Sequence, residues 1–283
     1  MSFVITGATG HLGRLVVEAL LARGVAPEEI VATGRHLDRL RDLADRGVDV
    51  RVADYDDPTS LKDAFAGADK LLFVSGSDVG TRVPQHRNVI DAAKEARVGL
   101  VAYTSIANAD VTTIRLAAEH QETERLLRDS GVPHVLLRNS WYLENYTAQL
   151  PTYLEHGAVL GSAGTGLVSA ATRADYAEAA AAALLADEPG TVYELGSDEA
   201  FTMGELAAAV SDAAGKPVAY RDLPEGEYAA VLIGAGLPEG YARALAQSDV
   251  GIARGDLLVT TGDLSRLIGR PTTSMPEAVR AAV

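Results

Sequence analysis

Seven residues near the amino terminus, Gly7-Ala8-Thr9-Gly10-His11-Leu12-Gly13, have the types and spacing of a phosphate cradle. They follow the apolar run Phe3-Val4-Ile5-Thr6 and open a helical pattern. Glycines at such positions let the backbone turn tightly, approach a pyrophosphate and pack a helix close to a strand. The helix start then offers free N–H groups and a positive dipole end to the phosphates. The competing reading, a glycine-rich turn without a ligand, lacks the context seen here: strand, turn, amphipathic helix and second strand in succession. After that second strand comes Thr33-Gly34-Arg35. A carboxylate there would suit the ribose hydroxyl of NAD and repel a 2′-phosphate, whereas a guanidinium grips the phosphate with paired hydrogen bonds. Arg35 therefore predicts NADPH, against the plainer alternative of a solvated arginine on a turn.

A proton-relay centre is harder to find. None of the ten tyrosines has a lysine four residues on, and no lysine occurs between Lys94 and Lys216. The chain has neither a Gly-x-Ser-x-Gly elbow nor a His-Glu-x-x-His pair. Its six histidines are scattered, so no metal site is expected. What remains is Glu119-His120-Gln121-Glu122-Thr123-Glu124. Three acids around His120 would raise its pKa and favour a charged, donating ring. The polar face of a solvated helix explains the same run, and both readings stay open.

Such residues need a scaffold. Apolar runs at Phe3–Thr6, Ile30–Thr33, Val48–Val52, Leu71–Val74, Leu100–Thr104 and Val135–Leu137 alternate with helical patterns at Leu12–Arg23, Leu37–Asp45, Asn88–Ala96 and Ala117–Ser130. The runs are continuous rather than alternating, as for parallel strands covered on both faces. This rhythm predicts an α/β, Rossmann-type doubly wound parallel sheet. Past about residue 140 it breaks. Gly157–Gly166 reads as a hairpin or loop, then Ala174–Leu185 and Val192–Leu195 add one αβ unit. The expected organisation is an NADP-binding domain over 1–145, completed by 172–196, with a smaller mixed lobe from 146–171 and 197–283.

Composition narrows the setting. A hydrophobic content of 47% supports a packed core. The absence of cysteine excludes disulfides and thiolate chemistry, and no apolar stretch approaches membrane-span length. The first residues run straight into a strand with no leader pattern, so a cytoplasmic protein with no membrane partner is expected. A net charge of −14 repels nucleic acid, so any anionic ligand needs a local device.

Several further runs carry a resemblance: Val83-Pro84-Gln85-His86-Arg87-Asn88-Val89-Ile90-Asp91-Ala92-Ala93, Ala102-Tyr103-Thr104-Ser105, Leu137 to Tyr146, Ala170 to Tyr176, Ser248-Asp249-Val250-Gly251 and Leu267 to Thr273. With the glycine turn, they resemble the bacterial type 2 NAD(P)H:quinone oxidoreductases, NmrA-like atypical short-chain dehydrogenase/reductases, over nearly the whole chain. The resemblance implies NADPH-dependent reduction of a small quinone. Gly7, Ala8, Thr9, Gly10, His11 and Leu12 would hold the pyrophosphate, and Arg35 the 2′-phosphate. Ser75, Gly76 and Ser77 would line the ribose. Asn139, Ser140, Trp141, Tyr142, Leu143 and Glu144 would flank the nicotinamide, and Arg173 would reach the cofactor or substrate. Trp141 and Tyr142 would form an aromatic wall for a flat quinone, although Trp141 could equally anchor the small lobe. His120 and Tyr142 are the catalytic candidates. His120 stands where isoflavone-reductase-like relatives carry a lysine, which leaves the proton donor open. Two other functions fit: a non-catalytic NmrA-like NADP(H) sensor acting through a protein partner, and an NADPH-dependent ketone or enone reductase. A homo-oligomer is compatible with all three.

Overall fold

The computed structural model describes residues 1–76 and 80–283. Its elements begin with β1 (Phe3–Ile5), α1 (His11–Ala22), β2 (Ile30–Gly34), α2 (Arg41–Ala44), β3 (Asp49–Val52), α3 (Pro58–Phe65) and β4 (Lys70–Phe73). There follow α4 (Arg82–Glu95), β5 (Leu100–Ile106), α5 (Ala117–Ser130), β6 (His134–Asn139), α6 (Glu144–Thr147), α7 (Leu150–His156) and β7 (Ala158–Gly161). The chain continues through α8 (Arg173–Ala186), β8 (Val192–Leu195), α9 (Met203–Ala214), β9 (Ala219–Asp222), α10 (Glu225–Gly234), α11 (Glu239–Arg254), α12 (Asp263–Ile268) and α13 (Met275–Ala282).

Seven strands form one sheet in the order β3-β2-β1-β4-β5-β6-β8. β1 pairs in parallel with β2 and β4, β2 with β3, and β4 with β5. Every residue of β1, β2, β4 and β5 is buried, which explains why their sequences are apolar without alternation. This is the doubly wound Rossmann-type sheet expected. Strand order reverses between β1 and β4, so the loops leaving these two strands diverge at their carboxyl ends. That switch point is where doubly wound sheets bind ligands.

The chain divides into two compact units. The first comprises residues 1–105, 119–138 and 173–193, and its core gathers Val4, Val31, Phe65, Leu71, Phe73, Tyr103 and Leu136. The second comprises 106–118, 139–172 and 194–283, with Ile106, Leu143, Tyr146, Phe201, Val210 and Ile252 among its core. Residues 106–118 enter the second unit because Ile106, Ala107 and Ile114 bury their side chains there. Capping boxes start α9 (Thr202 with Glu205) and α13 (Ser274 with Glu277).

Two local expectations need correction. Gly157–Gly166 is not a hairpin: β7, inside it, pairs in parallel with β9, far downstream. Glycines there signal a turn, but the partner strand is set by the intervening chain, which no local pattern reveals. The fourth helix starts at Arg82 rather than Asn88. Its first residues are polar, and they form a helix because tertiary partners satisfy that polarity. Pro84 is tolerated because it falls in the first turn. Among the described residues no helix is long and apolar enough to cross a membrane.

Candidate functional site

In the first unit the glycine turn is pinned to strands on both sides. Ala8 N–H donates to the Thr33 carbonyl at 2.8 Å, and Thr6 N–H to the Leu72 carbonyl at 3.0 Å. Gly7 takes the left-handed conformation, φ 62°. A Cβ on Gly13 would lie 2.5 Å from the Gly7 carbonyl oxygen, and one on Gly34 would lie 2.5 Å from the Thr9 side chain. Only glycines allow α1 to sit this near the turn, and the turn this near β2. α1 begins at Gly10 with no side-chain cap and no acidic residue in its first turn. Its first N–H groups and positive dipole end are therefore left for an external anion. Arg35 is exposed immediately after β2, and no carboxylate among the described residues pairs with it. Close-packed glycines, an uncapped helix start and an unpaired arginine fit a dinucleotide carrying a 2′-phosphate.

The carboxyl end of β4 is equally constrained. Val74 N–H donates to Thr6 Oγ1 at 2.9 Å, and Tyr55 Oη lies 2.6 Å from Thr6 Oγ1 and 2.7 Å from the Val74 carbonyl. These bonds tie the ends of β1 and β4 to the loop after β3. Ser75 N–H donates to Thr104 Oγ1 at 2.9 Å. Gly76 N–H donates to His86 Nε2 at 3.0 Å, while Arg82 Nε donates to the Gly76 carbonyl at 2.8 Å. On the same helix, Gln85 donates to Asp56 at 2.9 Å and Asn88 to the Tyr55 carbonyl at 2.9 Å. The turn residues Gly7 to Leu12, Arg35, Ser75 and Gly76 thus all lie at the carboxyl edge of the first unit's strands. Ser77 lies outside the described residues.

His120 is not the charged donor that its acidic neighbours suggested. It is 8% exposed, with Nε2 3.3 Å from Arg82 Nη1 and Nδ1 2.8 Å from the Tyr103 hydroxyl. A guanidinium only donates, so Nε2 accepts and the ring's single proton sits on Nδ1, facing Tyr103. Burial, followed by the charge on Arg82, pushes the His120 pKa well below its ordinary value. The acids are committed elsewhere. Glu119 accepts from Gly80 N–H at 3.0 Å, Glu122 from Arg125 at 2.9 Å, and Glu124 from Arg138 at 2.7 Å.

In the second unit, the backbone from Asn139 to Leu143 is bonded at nearly every step. Ala107 N–H donates to the Asn139 carbonyl at 2.9 Å, Ser140 N–H to Leu195 at 2.8 Å, Ala171 N–H to Trp141 at 3.0 Å and Leu143 N–H to Ala171 at 2.9 Å. Ser140 Oγ donates to the Leu257 carbonyl at 2.8 Å. Asn139 Oδ1 is buried without a hydrogen-bond partner, an orphaned acceptor of the kind a ligand's donor would satisfy. Trp141 is half-buried against the second unit's core, Tyr142 and Glu144 are half-buried, and Leu143 is buried. Arg173 opens α8 in the first unit and is half-buried. The two catalytic candidates, His120 and Tyr142, belong to different units.

Arg82, His86, Tyr103 and Thr123 were not singled out by residue chemistry. For the first two a signal was available: Arg82, Gln85, His86 and Val89 follow helical i, i+3, i+4, i+7 spacing, and all four are buried. A polar stripe at core spacing marks a buried network rather than a solvated face.

The comparisons with known proteins decide the family. A profile of the NmrA-like family matches residues 2–253. The chain belongs to the NmrA-like family. Among similar proteins, quinone oxidoreductase 2 of Escherichia coli is 50% identical over 276 residues, covering 97% of this chain and 96% of that protein. The crystal structure of an Escherichia coli NADPH-dependent quinone oxidoreductase complexed with NADPH superposes with a TM-score of 0.95 at 49% identity, covering 99% of each chain. The triphenylmethane reductase of a Citrobacter species, complexed with NADP(H), superposes at 0.92 with 37% identity and 100% of both chains covered.

Proposed function

We propose that this NmrA-like chain is an NADPH-dependent quinone oxidoreductase working by direct hydride transfer. The observation that carries the reading is 50% identity across 97% of the chain to the Escherichia coli quinone oxidoreductase 2. The match to a structure complexed with NADPH supports the cofactor. Bound NADPH supplies a hydride from C4 of its nicotinamide. The chain's residues bind and align. The turn from Gly7 to Leu12 takes the pyrophosphate and Arg35 the 2′-phosphate. Ser75 and Gly76 line the ribose, and Asn139 to Glu144 flank the nicotinamide, with Trp141 and Tyr142 presenting an aromatic face to a flat acceptor. Arg173 serves the cofactor or substrate from the start of α8. The cytoplasmic setting expected from a chain without cysteine belongs to the same proposal.

A buried, neutral His120 with both nitrogens engaged fits a reaction that needs no strong proton donor. A ketone that accepts hydride becomes an alkoxide and requires a proton in the transition state. A quinone becomes a hydroquinone anion, a phenolate whose conjugate acid has a pKa of about 10, like tyrosine. That anion collects its proton from water or a weak donor. The protein's task is then alignment, the proximity contribution.

NADPH oxidation by the purified protein tests the proposal. Turnover with 1,4-benzoquinone or a naphthoquinone should be fast, and with cyclohexanone slower by orders of magnitude. Comparable rates would reveal an overlooked proton donor. NADPH binding without oxidation by any quinone would favour the sensor reading instead.

A further inference from the structure

We propose that Arg82 and His86 are positioning residues for the cofactor, acting through the Gly76 backbone at the carboxyl end of β4. The inference rests on the NADPH reading and adds to it the device that fixes Gly76. Both backbone polar groups of Gly76 are gripped from α4: its N–H by His86 Nε2 at 3.0 Å and its carbonyl by Arg82 Nε at 2.8 Å. A side chain at position 76 would also meet Gln85 at 3.3 Å and His86 at 3.6 Å, so Gly76 is walled as well as bonded.

The grip is held in turn by a buried network in which the proton of each imidazole ring can be assigned. Because His86 Nε2 accepts from Gly76, the ring proton is on Nδ1 and donates to Thr123 Oγ1, 2.8 Å away. Thr123 Oγ1 donates to the Glu119 carbonyl at 2.7 Å. Arg82 donates to His120 Nε2, and His120 Nδ1–H donates to Tyr103. Burial, then the charge of Arg82, pushes His86 down to about 3, so it remains a neutral acceptor at working pH. Arg82 is 7% exposed, and its charge is balanced by Glu119 at 3.7 Å. Glu119 also accepts from Gly80 N–H at 3.0 Å. One buried ion pair therefore holds residue 76 through its arginine and residue 80 through its glutamate. A solvated helix face requires none of this, and buried polar networks of this kind fix geometry.

The test measures NADPH affinity on folded protein by calorimetry, alongside thermal unfolding and steady-state kinetics. Arg82→Met and His86→Leu should each raise the NADPH Kd about tenfold or more, equivalent to about 1.4 kcal/mol. The KM for NADPH should rise with it while the KM for the quinone stays near wild type. His86→Gln can accept from Gly76 and donate to Thr123, so it should recover most of the affinity. A purely structural role predicts a lower melting temperature and fewer active molecules, but an unchanged Kd for those that fold; that result overturns the proposal. If Arg82→Met does not fold, the His86→Leu and His86→Gln pair decides. Wild-type protein that failed to bind NADPH would remove the functional reading and this proposal with it. Wild-type binding with unaltered variants would remove this proposal alone.

Discussion

At the scale of single residues, the proposed preference for NADPH rests on Arg35. Its guanidinium is exposed just beyond β2, and no carboxylate among the described residues occupies it. Hydrogen bonds between charged groups contribute about 1.5–3 kcal/mol each. One such bond corresponds to about 10- to 150-fold in affinity. Wild-type protein should therefore bind NADPH at least tenfold tighter than NADH, and Arg35→Asp should reverse the order. Equal dissociation constants in the wild type would refute the assignment. Trp141, the single tryptophan, supplies a second test. Reduced nicotinamide absorbs where tryptophan emits. If residues 139–144 flank the nicotinamide, NADPH should quench Trp141 emission and sensitise its own, and excess NADP⁺ should reverse the sensitised signal. Unchanged emission on saturation with NADPH would withdraw those residues from the cofactor.

At the scale of elements, α5 converts a polar sequence into a structural strut. Glu124 is 1% exposed and accepts from Arg138 Nε at 2.9 Å, Arg138 Nη2 at 2.7 Å and Ser105 Oγ at 2.6 Å. Removing one partner of such a pair strands the other charge in the interior, at about 3–5 kcal/mol. Glu124→Ala should lower unfolding stability by that amount in urea titrations. Pairing Glu124→Leu with Arg138→Met should cost much less than the two single changes added together. Additive losses would mean that the pair contributes independently of its partners. The helix itself, Ala117–Ser130, was legible from its pattern; the destinations of its acids were not. Glu119, Glu122 and Glu124 look alike in sequence, yet one accepts from Gly80 N–H, one lies at the surface and one is buried under Arg138.

At the scale of the whole molecule, the buried titratable groups predict acid sensitivity. His86 and His120 are held neutral when folded and take up protons near pH 6.5 when unfolded. Their folded pKa values are depressed, so the unfolded state binds more protons as pH falls below about 6.5, and stability falls with it. Asp249 opposes this. Its carboxyl is raised to about 6, chiefly by burial, so between about pH 6 and 4 the folded state holds the extra proton. Two histidines against one carboxyl leave a net one proton favouring unfolding. The three groups together should then lower stability by about 1.4 kcal/mol per pH unit between pH 6 and 4. Chemical denaturation across that range checks the slope; His86→Gln should reduce it and Asp249→Asn should steepen it. A slope unaffected by either change would contradict the assigned burial.

The sequence alone determined the parallel sheet, because uninterrupted apolar strands and intervening amphipathic helices admit few other packings. It also determined the glycine turn, since Gly7 and Gly13 meet steric demands that are local to one strand-turn-helix unit. Arg35 was readable for the same reason: its place follows from its distance along the chain from the end of β2. What only the tertiary structure decided involves residues brought together from distant stretches. Gly76, Arg82, His86, Tyr103, His120 and Thr123 come from one loop, two helices and a strand; spacing marks Arg82 and His86 as buried on one helix face, but nothing in chain order joins them to the other four. The β7–β9 pairing and the protonation of His120 belong to the same class. Charge and hydrogen bonding depend on which groups meet and how little water reaches them, and chain order records neither.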